Sequence, residues 1–315
     1  MKIAVFGATG VLGRRLLTLL ADRGHHVFGT TRHRERLQDI HSMGATALLC
    51  DGLSPASIEA VLRSSEPEVA VHLMTDLPSS WAKLRNGTPA TNRLRRRSSQ
   101  NLSRAVHAYG VRRLVAESIA FMYEPGMGSA HESDPIWLDG PRALAQTFAA
   151  ARELEEAVCA TPGVEALVLR FGSLYGPGTW YAPDADIARR LCRRRLPVIG
   201  SGAGWISFLH VDDAAEATAL AATSPLPESN VMNVVDDEPV THDDFLRAWA
   251  KSQGWPSPAR IPTWMARPLG GASAVAVMTR QRAASSERAR RQLGWVPQIR
   301  SWRTGFDVGP AADHP

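Results

Sequence analysis

The chain has 315 residues, 44% hydrophobic and 21% charged, so it can bury a full core as one or two domains. No apolar run reaches the roughly 20 residues that span a bilayer, and the first apolar stretch ends too soon for a signal peptide. All but three of the 36 basic residues are arginine. Their clusters at 93–97, 189–195 and 288–291 are typical of solvated helix faces, so we expect neither nucleic-acid nor membrane binding. Three scattered cysteines indicate a reduced, cytoplasmic protein, and their spacing matches no metal site.

Strand and helix signals alternate from the N-terminus, which predicts an α/β fold with a parallel sheet between helices. The predicted strands are 3–6, 26–30, 47–50, 69–74, 113–119 and 166–171. The predicted helices are 11–23, 34–42, 55–64 (capped by Ser54), 92–109, and one that follows the Gly- and Pro-rich loop 124–141 and ends at 159.

The pattern changes in the C-terminal part of the chain. Proline and glycine interrupt residues 172–204, strand signals return at 207–211 and 231–235, and helices dominate from 239 onward. We therefore expect a second, smaller lobe built from the C-terminal part of the chain.

The segment GATGVLG at 7–13 places three glycines between the first predicted strand and the first predicted helix. In a dinucleotide-binding turn, Gly7 permits the tight turn, Gly10 lets the backbone approach the pyrophosphate, and Gly13 lets helix and strand pack closely. The helix N-terminus then offers free amides and a positive dipole to the phosphates. Because the motif stands between a strand and a helix, it predicts a dinucleotide site.

The end of the second strand distinguishes NAD from NADP. An acidic residue there binds the ribose hydroxyl of NAD, whereas an arginine accommodates the 2′-phosphate of NADP. The chain has Arg32 at this place, with Arg34 and Arg36 close behind, which favours NADP(H); the alternative is a solvated arginine-rich face. Asp51, just beyond the third strand, suits a carboxylate that accepts from the adenine amino group. Its alternative role is that of a turn residue before a helix.

Several segments resemble the extended short-chain dehydrogenase/reductase superfamily, the NAD-dependent epimerases, dehydratases and ketoreductases, over nearly the whole length. They are AVHLM (70–74), NLSRAVHAYGVRRLV (101–115), LVLRFGSLYGPG (167–178), FLHVDDAAEA (208–217) and SERARRQLGWVP (286–297). The resemblance implies a Rossmann doubly wound parallel sheet, formed by 1–171 and 205–236, that binds NADP(H). Beside it, the resemblance implies a smaller, discontinuous C-terminal substrate lobe that comprises 172–204 and 237–315. The cofactor contacts that it implies are Gly7, Thr9, Gly10, Val11, Leu12, Gly13, Thr31, Arg32, Asp51, Gly52, Leu53, Leu73, Met74, Arg152 and Phe171.

The chain departs from this superfamily at the residues that transfer the proton during catalysis. In the superfamily, a serine or threonine at the end of the fifth strand and a Tyr-x-x-x-Lys pair normally transfer this proton. Here Ile119 stands at the serine position, and Phe148 and Arg152 stand at the tyrosine and lysine positions. Phenylalanine has no proton to give, and arginine does not substitute neatly for a lysine that lowers a phenol's pKa. If the register slips by one residue, Thr147 faces the pocket, and a threonine is a poor acid.

Other residues remain as candidates for catalysis and substrate binding. Tyr123 is the best protein candidate for a proton donor, and Ser118 is one residue away from the serine position. Trp180 and Tyr181, at the start of the lobe, suit a flat ring substrate. The alternative for both is packing in the lobe core. The expected substrate contacts are Thr75, Ile119, Phe148, Trp180 and Tyr181, with Ser79 and Ser80 at the same rim.

The missing pair and the arginine-rich composition are similar to those of atypical ketoreductases of angucyclinone antibiotic biosynthesis. This similarity implies an NADPH-dependent ketoreductase that reduces a carbonyl of an aromatic polyketide, with a proton from substrate or water. Two alternatives remain open: a non-redox epimerase, dehydratase or cyclase that retains the cofactor, and a dinucleotide-sensing regulatory protein without turnover. The expected partner is a small, flat aromatic molecule, and the oligomeric state stays open.

Overall fold

The computed structural model of the protein describes residues 1–78 and 87–308, with the backbone alone at 268–270. In chain order, its strands are β1 (Lys2–Phe6), β2 (His26–Thr31), β3 (Thr46–Leu49), β4 (Val69–His72), β5 (Arg113–Ile119), β6 (Glu165–Phe171), β7 (Ser173–Tyr175), β8 (Val198–Ile199), β9 (Trp205–Ile206), β10 (Phe208–His210), β11 (Val231–Val234), β12 (Val240–Thr241) and β13 (Arg260–Ile261). Seven of them form one sheet in the order β3-β2-β1-β4-β5-β6-β11, in which every neighbouring pair is parallel. The predicted Rossmann sheet is confirmed.

Besides this sheet, the described residues form eleven α-helices. They are α1 (Val11–Asp22), α2 (Leu37–Ser42), α3 (Pro55–Ser65), α4 (Pro89–Ala108), α5 (Arg142–Cys159), α6 (Asp186–Cys192), α7 (Val211–Thr223), α8 (His242–Ser252), α9 (Thr263–Arg280), α10 (Glu287–Leu293) and α11 (Trp302–Gly305). The first and seventh helices pack on one face, and α3, α4 and α5 pack on the other. Within the described ranges, no helix is long and apolar enough to cross a membrane.

The sequence of the central strands explains why the sheet is buried on both sides. Along β1, Ile3 and Val5 contribute to one hydrophobic layer, and Ala4 and Phe6 contribute to the other. Successive side chains of a strand point to opposite faces, so a strand covered on both faces must be apolar throughout. The predicted cap of the third helix is also present, because Ser54 Oγ accepts a hydrogen bond of 3.3 Å from the Ser57 amide.

A second hydrophobic core lies outside the sheet, among α6, α8, α9 and α11 and the short strand pairs β7–β10, β8–β13 and β9–β12. Its centre is aromatic: Phe208, Phe245 and Phe306 lie within 4.7–5.3 Å of one another, centroid to centroid. Burial of such rings, with edge contacts between them, stabilises a small lobe that has little regular sheet.

One part of the chain departs from the expected division. Residues 237–315 were assigned to the lobe as a whole, but Ala289, Leu293 and Trp295 pack in the core beneath the central sheet. The Trp295 indole also donates to the carbonyl of Asp213 in α7 at 3.1 Å. The tenth helix therefore belongs to the Rossmann side, because its apolar face finds the sheet core rather than the aromatic core.

Candidate active site

The turn between β1 and α1 admits only glycine at two of its positions. Gly7 has a φ of +94°, and a Cβ atom there would lie 2.6 Å from the carbonyl oxygen of Leu73. A Cβ atom on Gly13 would lie 2.4 Å from the carbonyl oxygen of Gly7. No side chain caps the helix at Gly10. The first helical amides, which lack intrahelical acceptors, can therefore bind a pyrophosphate. Thr9, Val11 and Leu12 lie in this same turn.

Arg32 follows Thr31 at the end of β2, as the sequence predicts for a 2′-phosphate site. Its side chain is half exposed, with Nη2 3.3 Å from the Asp76 carboxylate and Nε 3.1 Å from the ring of His33. The Thr31 hydroxyl accepts from the His33 amide at 3.2 Å. The guanidinium of Arg32 is thus held only loosely, by one acidic neighbour, and an incoming phosphate can compete for it.

The turn Asp51–Leu53 lies beside the end of β4. Asp51 Oδ1 accepts from the Leu53 amide at 3.0 Å, which is the contact of a turn residue. A Cβ atom on Gly52 would lie 2.4 Å from Met74 Sδ, so these residues are in close contact. Leu73 is buried in the sheet core and offers only its backbone to the glycine turn. The expected adenosine and pyrophosphate contacts therefore meet at the carboxyl ends of β1, β3 and β4.

The serine and tyrosine positions of the superfamily meet in the structure, and both are apolar. Ile119 is 6% exposed and Phe148 is 1% exposed, and both belong to one cluster with Met122, Trp137 and Ala151. The alternative register is not favoured, since the Thr147 hydroxyl donates to the Ala143 carbonyl at 3.0 Å within α5. At these two positions the site has no proton to give.

Arg152 does not occupy the place expected of a cofactor ligand. Its side chain is exposed, and its Nε lies 3.4 Å from Glu156, one turn further along α5. No described contact draws it toward the strand ends. The expectation that Arg152 contacts the cofactor is therefore corrected, because its partner lies on the outer face of the helix.

Ser118 is also corrected as a catalytic residue. It is fully buried, and its hydroxyl donates at 2.6 Å to Glu155 of α5. The same carboxylate receives two hydrogen bonds from Arg170 of β6, at 2.9 and 2.6 Å. Ser118 thus belongs to a buried network between sheet and helix, and alternation along β5 separates it from Ile119.

Tyr123 lies in the continuation of this network and is not available as a proton donor. Its hydroxyl donates to Asn233 Oδ1 at 2.6 Å and accepts from Arg170 Nη1 at 2.8 Å. The side chain is buried, and burial raises its pKa to about 12. Tyr123 therefore anchors the loop after β5 to β6 and β11. Its role as the proton donor is corrected for that reason.

The remaining expected contacts divide between the core and the rim. Phe171 packs in the sheet core, while Tyr181 packs edge-on against Phe208 and Phe245 in the aromatic core. Packing in the lobe is thus the role of Tyr181. The Trp180 indole donates to the carbonyl of Pro78 at 3.0 Å and so joins the lobe to the loop after β4. Thr75 is exposed on that loop, and Ser79 and Ser80 lie outside the described residues.

The sequence analysis missed two charged residues at the ends of β4 and β5. Arg95 of α4 is 5% exposed, although its cluster suggests a solvated face. Glu117 of β5 is partly accessible, and burial raises its pKa to about 7 although Arg95 acts in the opposite direction. Helical periodicity is the signal that could have found Arg95, because Thr91, Ser98 and Leu102 of the same face are buried as well.

Comparison with known proteins agrees with this geometry. A model of the NAD dependent epimerase/dehydratase family matches residues 3–234. The 3-diazoavenalumate denitrifying reductase of a Streptomyces species is 38% identical, over 97% of this chain and 99% of that protein. The dTDP-4-dehydro-6-deoxy-D-allose reductase of Streptomyces bikiniensis is 26% identical, over 88% of each.

A solved structure shows the same fold. The UDP-glucose 4-epimerase of Thermus thermophilus, solved with NAD, matches with a TM-score of 0.73 at 22% identity, over 98% of this chain and 97% of that one. The glycine turn described above fits the nicotinamide dinucleotide for which the matching family is named. The chain belongs to the NAD dependent epimerase/dehydratase family and is an oxidoreductase of the extended short-chain dehydrogenase/reductase type.

Proposed function

We propose that the protein is an NADPH-dependent reductase of secondary metabolism that delivers hydride to a flat aromatic substrate carrying a diazonium group. The observation that carries this proposal is the apolar pair Ile119 and Phe148 at the positions that normally move the proton. A lost general acid typically costs about 10²- to 10⁴-fold in rate, so the substrate should be one that needs none. The relative at 38% identity is named as a denitrifying reductase of a diazo compound.

The stoichiometry of the two candidate reactions explains why the diazo group is favoured. Reduction of a ketone consumes one hydride and one proton for each alcohol formed. Reduction of an aryl diazonium ion consumes one hydride, breaks the carbon–nitrogen bond and releases N₂, so the net reaction takes up no proton. A bound NADPH would supply the hydride in either case. An active site without the tyrosine and lysine loses nothing in the second reaction.

The apolar cluster supports an aromatic substrate. Ile119, Phe148 and Trp137 are buried in it, while Phe121 and Leu138 are only partly buried at its edge. Such surfaces bind flat rings, and one or two polar groups then fix the orientation. The protein's part in the reaction is therefore to bind, orient and exclude water, which alone can account for much of a barrier.

The preference for NADPH rests on Arg32. Its guanidinium is half exposed at the end of β2, where the 2′-phosphate of the cofactor is expected. The matching solved epimerase holds NAD, so the choice of cofactor is a property of this chain's own residues rather than of the fold.

The experiment is a stoichiometric assay with NADPH and a carboxybenzenediazonium salt, against a protein-free control that gives the chemical background. We expect one N₂ and one arene for each NADPH oxidised, with no net proton uptake in a weakly buffered indicator solution. A rate no higher than the protein-free control would refute the diazo assignment.

The second candidate is reduction of an aromatic polyketide ketone, favoured by the relative named as a reductase of a dehydro sugar. A phenol beside the ketone would polarise the carbonyl through an internal hydrogen bond and so replace the missing acid. With such a ketone, the same assay would show one proton taken up for each NADPH oxidised.

A further inference from the structure

Three arginines of the described chain are buried to 95% or more, and two of them are fully engaged. Arg113 bonds to Glu165 and to the carbonyls of Ala221 and Ser224. Arg170 bonds to Glu155, Tyr123 and the carbonyl of Glu132. Arg95, at 5% exposure, donates no hydrogen bond to any described residue. Buried guanidinium groups normally have acceptors, so Arg95 lacks a partner that a ligand can provide.

The neighbours of Arg95 on α4 contact the loop after β4 and the residue beside Phe148. One turn earlier on α4, the Thr91 hydroxyl accepts a hydrogen bond of 3.1 Å from the backbone amide of Asp76. Asp76 lies two residues after Met74, in the loop that follows β4. On the same turn, the Asn92 amide donates to Thr147, the neighbour of Phe148, at 3.4 Å. Arg95 therefore lies below the position where β4, β5 and α5 converge.

Two carboxylates act on Arg95 without binding it. Glu117 of β5 and Glu155 of α5 both favour the charged form of its guanidinium. No nitrogen atom of Arg95 lies within the 4.0 Å of an ion pair from either carboxylate. The hydrogen-bond donors of Arg95 are therefore available to an acceptor group of the substrate.

We infer that Arg95 binds an anionic carboxylate of the substrate and thereby fixes the aromatic ring over the apolar cluster. This inference rests on the proposed aromatic substrate, but its test measures binding alone. A planar guanidinium matches a carboxylate with two parallel hydrogen bonds, which makes it a selective anchor. Arg95 is on this view a specificity-determining residue, and the ring itself is held by Ile119, Phe148 and Trp137.

The test uses the full chain with saturating NADP⁺ and two flat probes, 2-naphthoate and the uncharged 2-naphthamide, with affinities from titration calorimetry. We expect Arg95→Met to weaken naphthoate at least tenfold and naphthamide less than threefold. Arg97→Met is the matched control, because Arg97 is exposed on the same helix and should change neither affinity. Arg95→Lys keeps the charge but cannot form two parallel hydrogen bonds, so it should weaken the binding of naphthoate by an intermediate factor.

The outcomes are separable from those of the reductase assay. Equal naphthoate affinity in the parent and in Arg95→Met would overturn the anchor even if diazo reduction is observed. A loss of NADP⁺ affinity with unchanged probe binding would also overturn it, since Arg95 would then serve the cofactor. If Arg95→Met does not fold by circular dichroism, Arg95→Lys decides, and an unchanged ratio of naphthoate to naphthamide affinity refutes the inference.

Discussion

Two polar clusters lie at the carboxyl end of β5, and they differ in how completely their charges are paired. In the satisfied cluster, Arg170 holds Glu155 with two hydrogen bonds and supports the hydroxyl of Tyr123. In the open pair, Arg95 and Glu117 attract each other but form no hydrogen bond. A buried charge without a hydrogen-bond partner lowers the stability of the fold, and residues in such an arrangement are candidates for function.

The pKa values express the same difference. Burial lowers the pKa of both guanidinium groups, but for Arg170 the hydrogen bonds and the charge of Glu155 more than offset it, so its pKa is raised. For Arg95 the lowering by burial prevails over the attraction of Glu117 and Glu155. The satisfied cluster therefore stabilises the fold, whereas the open pair is available to a ligand.

The largest predicted effect comes from breaking the satisfied cluster. Arg170→Met leaves the carboxylate of Glu155 buried without a partner, and we expect it to lower the free energy of unfolding by about 3–5 kcal/mol. Arg95→Met removes a buried charge that makes no hydrogen bond, so its free energy of unfolding should stay within about 1 kcal/mol of the parent. Urea unfolding of both variants measures the difference, and equal losses would contradict the comparison.

A smaller effect is expected from Tyr123→Phe. The change removes one donor and one acceptor from the satisfied cluster and leaves Asn233 short of a hydrogen bond, which should cost about 1–3 kcal/mol of stability. Turnover with the diazonium substrate should stay within a factor of two, because the hydroxyl faces the cluster and not the site. A drop of tenfold or more in turnover, with the fold intact, would restore Tyr123 as the proton donor.

Arg32 extends the comparison to an arginine that is held loosely. Its contact with Asp76 is long and half exposed, so the side chain should exchange that contact for a cofactor phosphate. Arg32→Ala should raise the KM for NADPH about tenfold, as expected for a lost charge-assisted hydrogen bond. The KM for NADH should change less than twofold. Steady-state rates with the two cofactors test this, and an equal effect on both would assign Arg32 to the adenosine rather than to the phosphate.

The fold could be predicted from the sequence further than the site could. Apolar strands such as β1 and the glycine turn encode local structure directly, and both were found as expected. The residue types of Tyr123 and Ser118 can carry protons, which predicts a catalytic role, but side-chain pairing across β5, β6 and α5 decides their role. The arginine run around Arg95 predicts a solvated face, and only the packing of α4 on the sheet buries this residue. Such pairing is long-range, so residue type and local pattern cannot reveal it.

The smallest predicted effect is a pH dependence that distinguishes an open pair from a closed one. Burial raises the pKa of Glu117 from its usual 4.5 to about 7. The Glu117 carboxyl group therefore binds a proton more tightly in the folded state than in the unfolded state. As a result, the free energy of unfolding of the parent falls as the pH rises from about 4.5 to about 7. Glu117→Gln cannot ionise, so its free energy of unfolding should rise relative to that of the parent across this window, by a value on the order of 3 kcal/mol, and then level off.

The difference in the free energy of unfolding between Glu117→Gln and the parent reports on Glu117 alone. Burial lowers the pKa of the neighbouring His72 to about 4, but His72 titrates alike in both proteins and cancels in the difference. Urea unfolding of Glu117→Gln and of the parent between pH 4 and pH 8 gives the curve. If Arg95 held Glu117 in a closed ion pair, the carboxylate would be favoured in the folded state and the sign would reverse. The parent would then gain on the variant as the pH rises, and Arg95 would not be available to a substrate carboxylate.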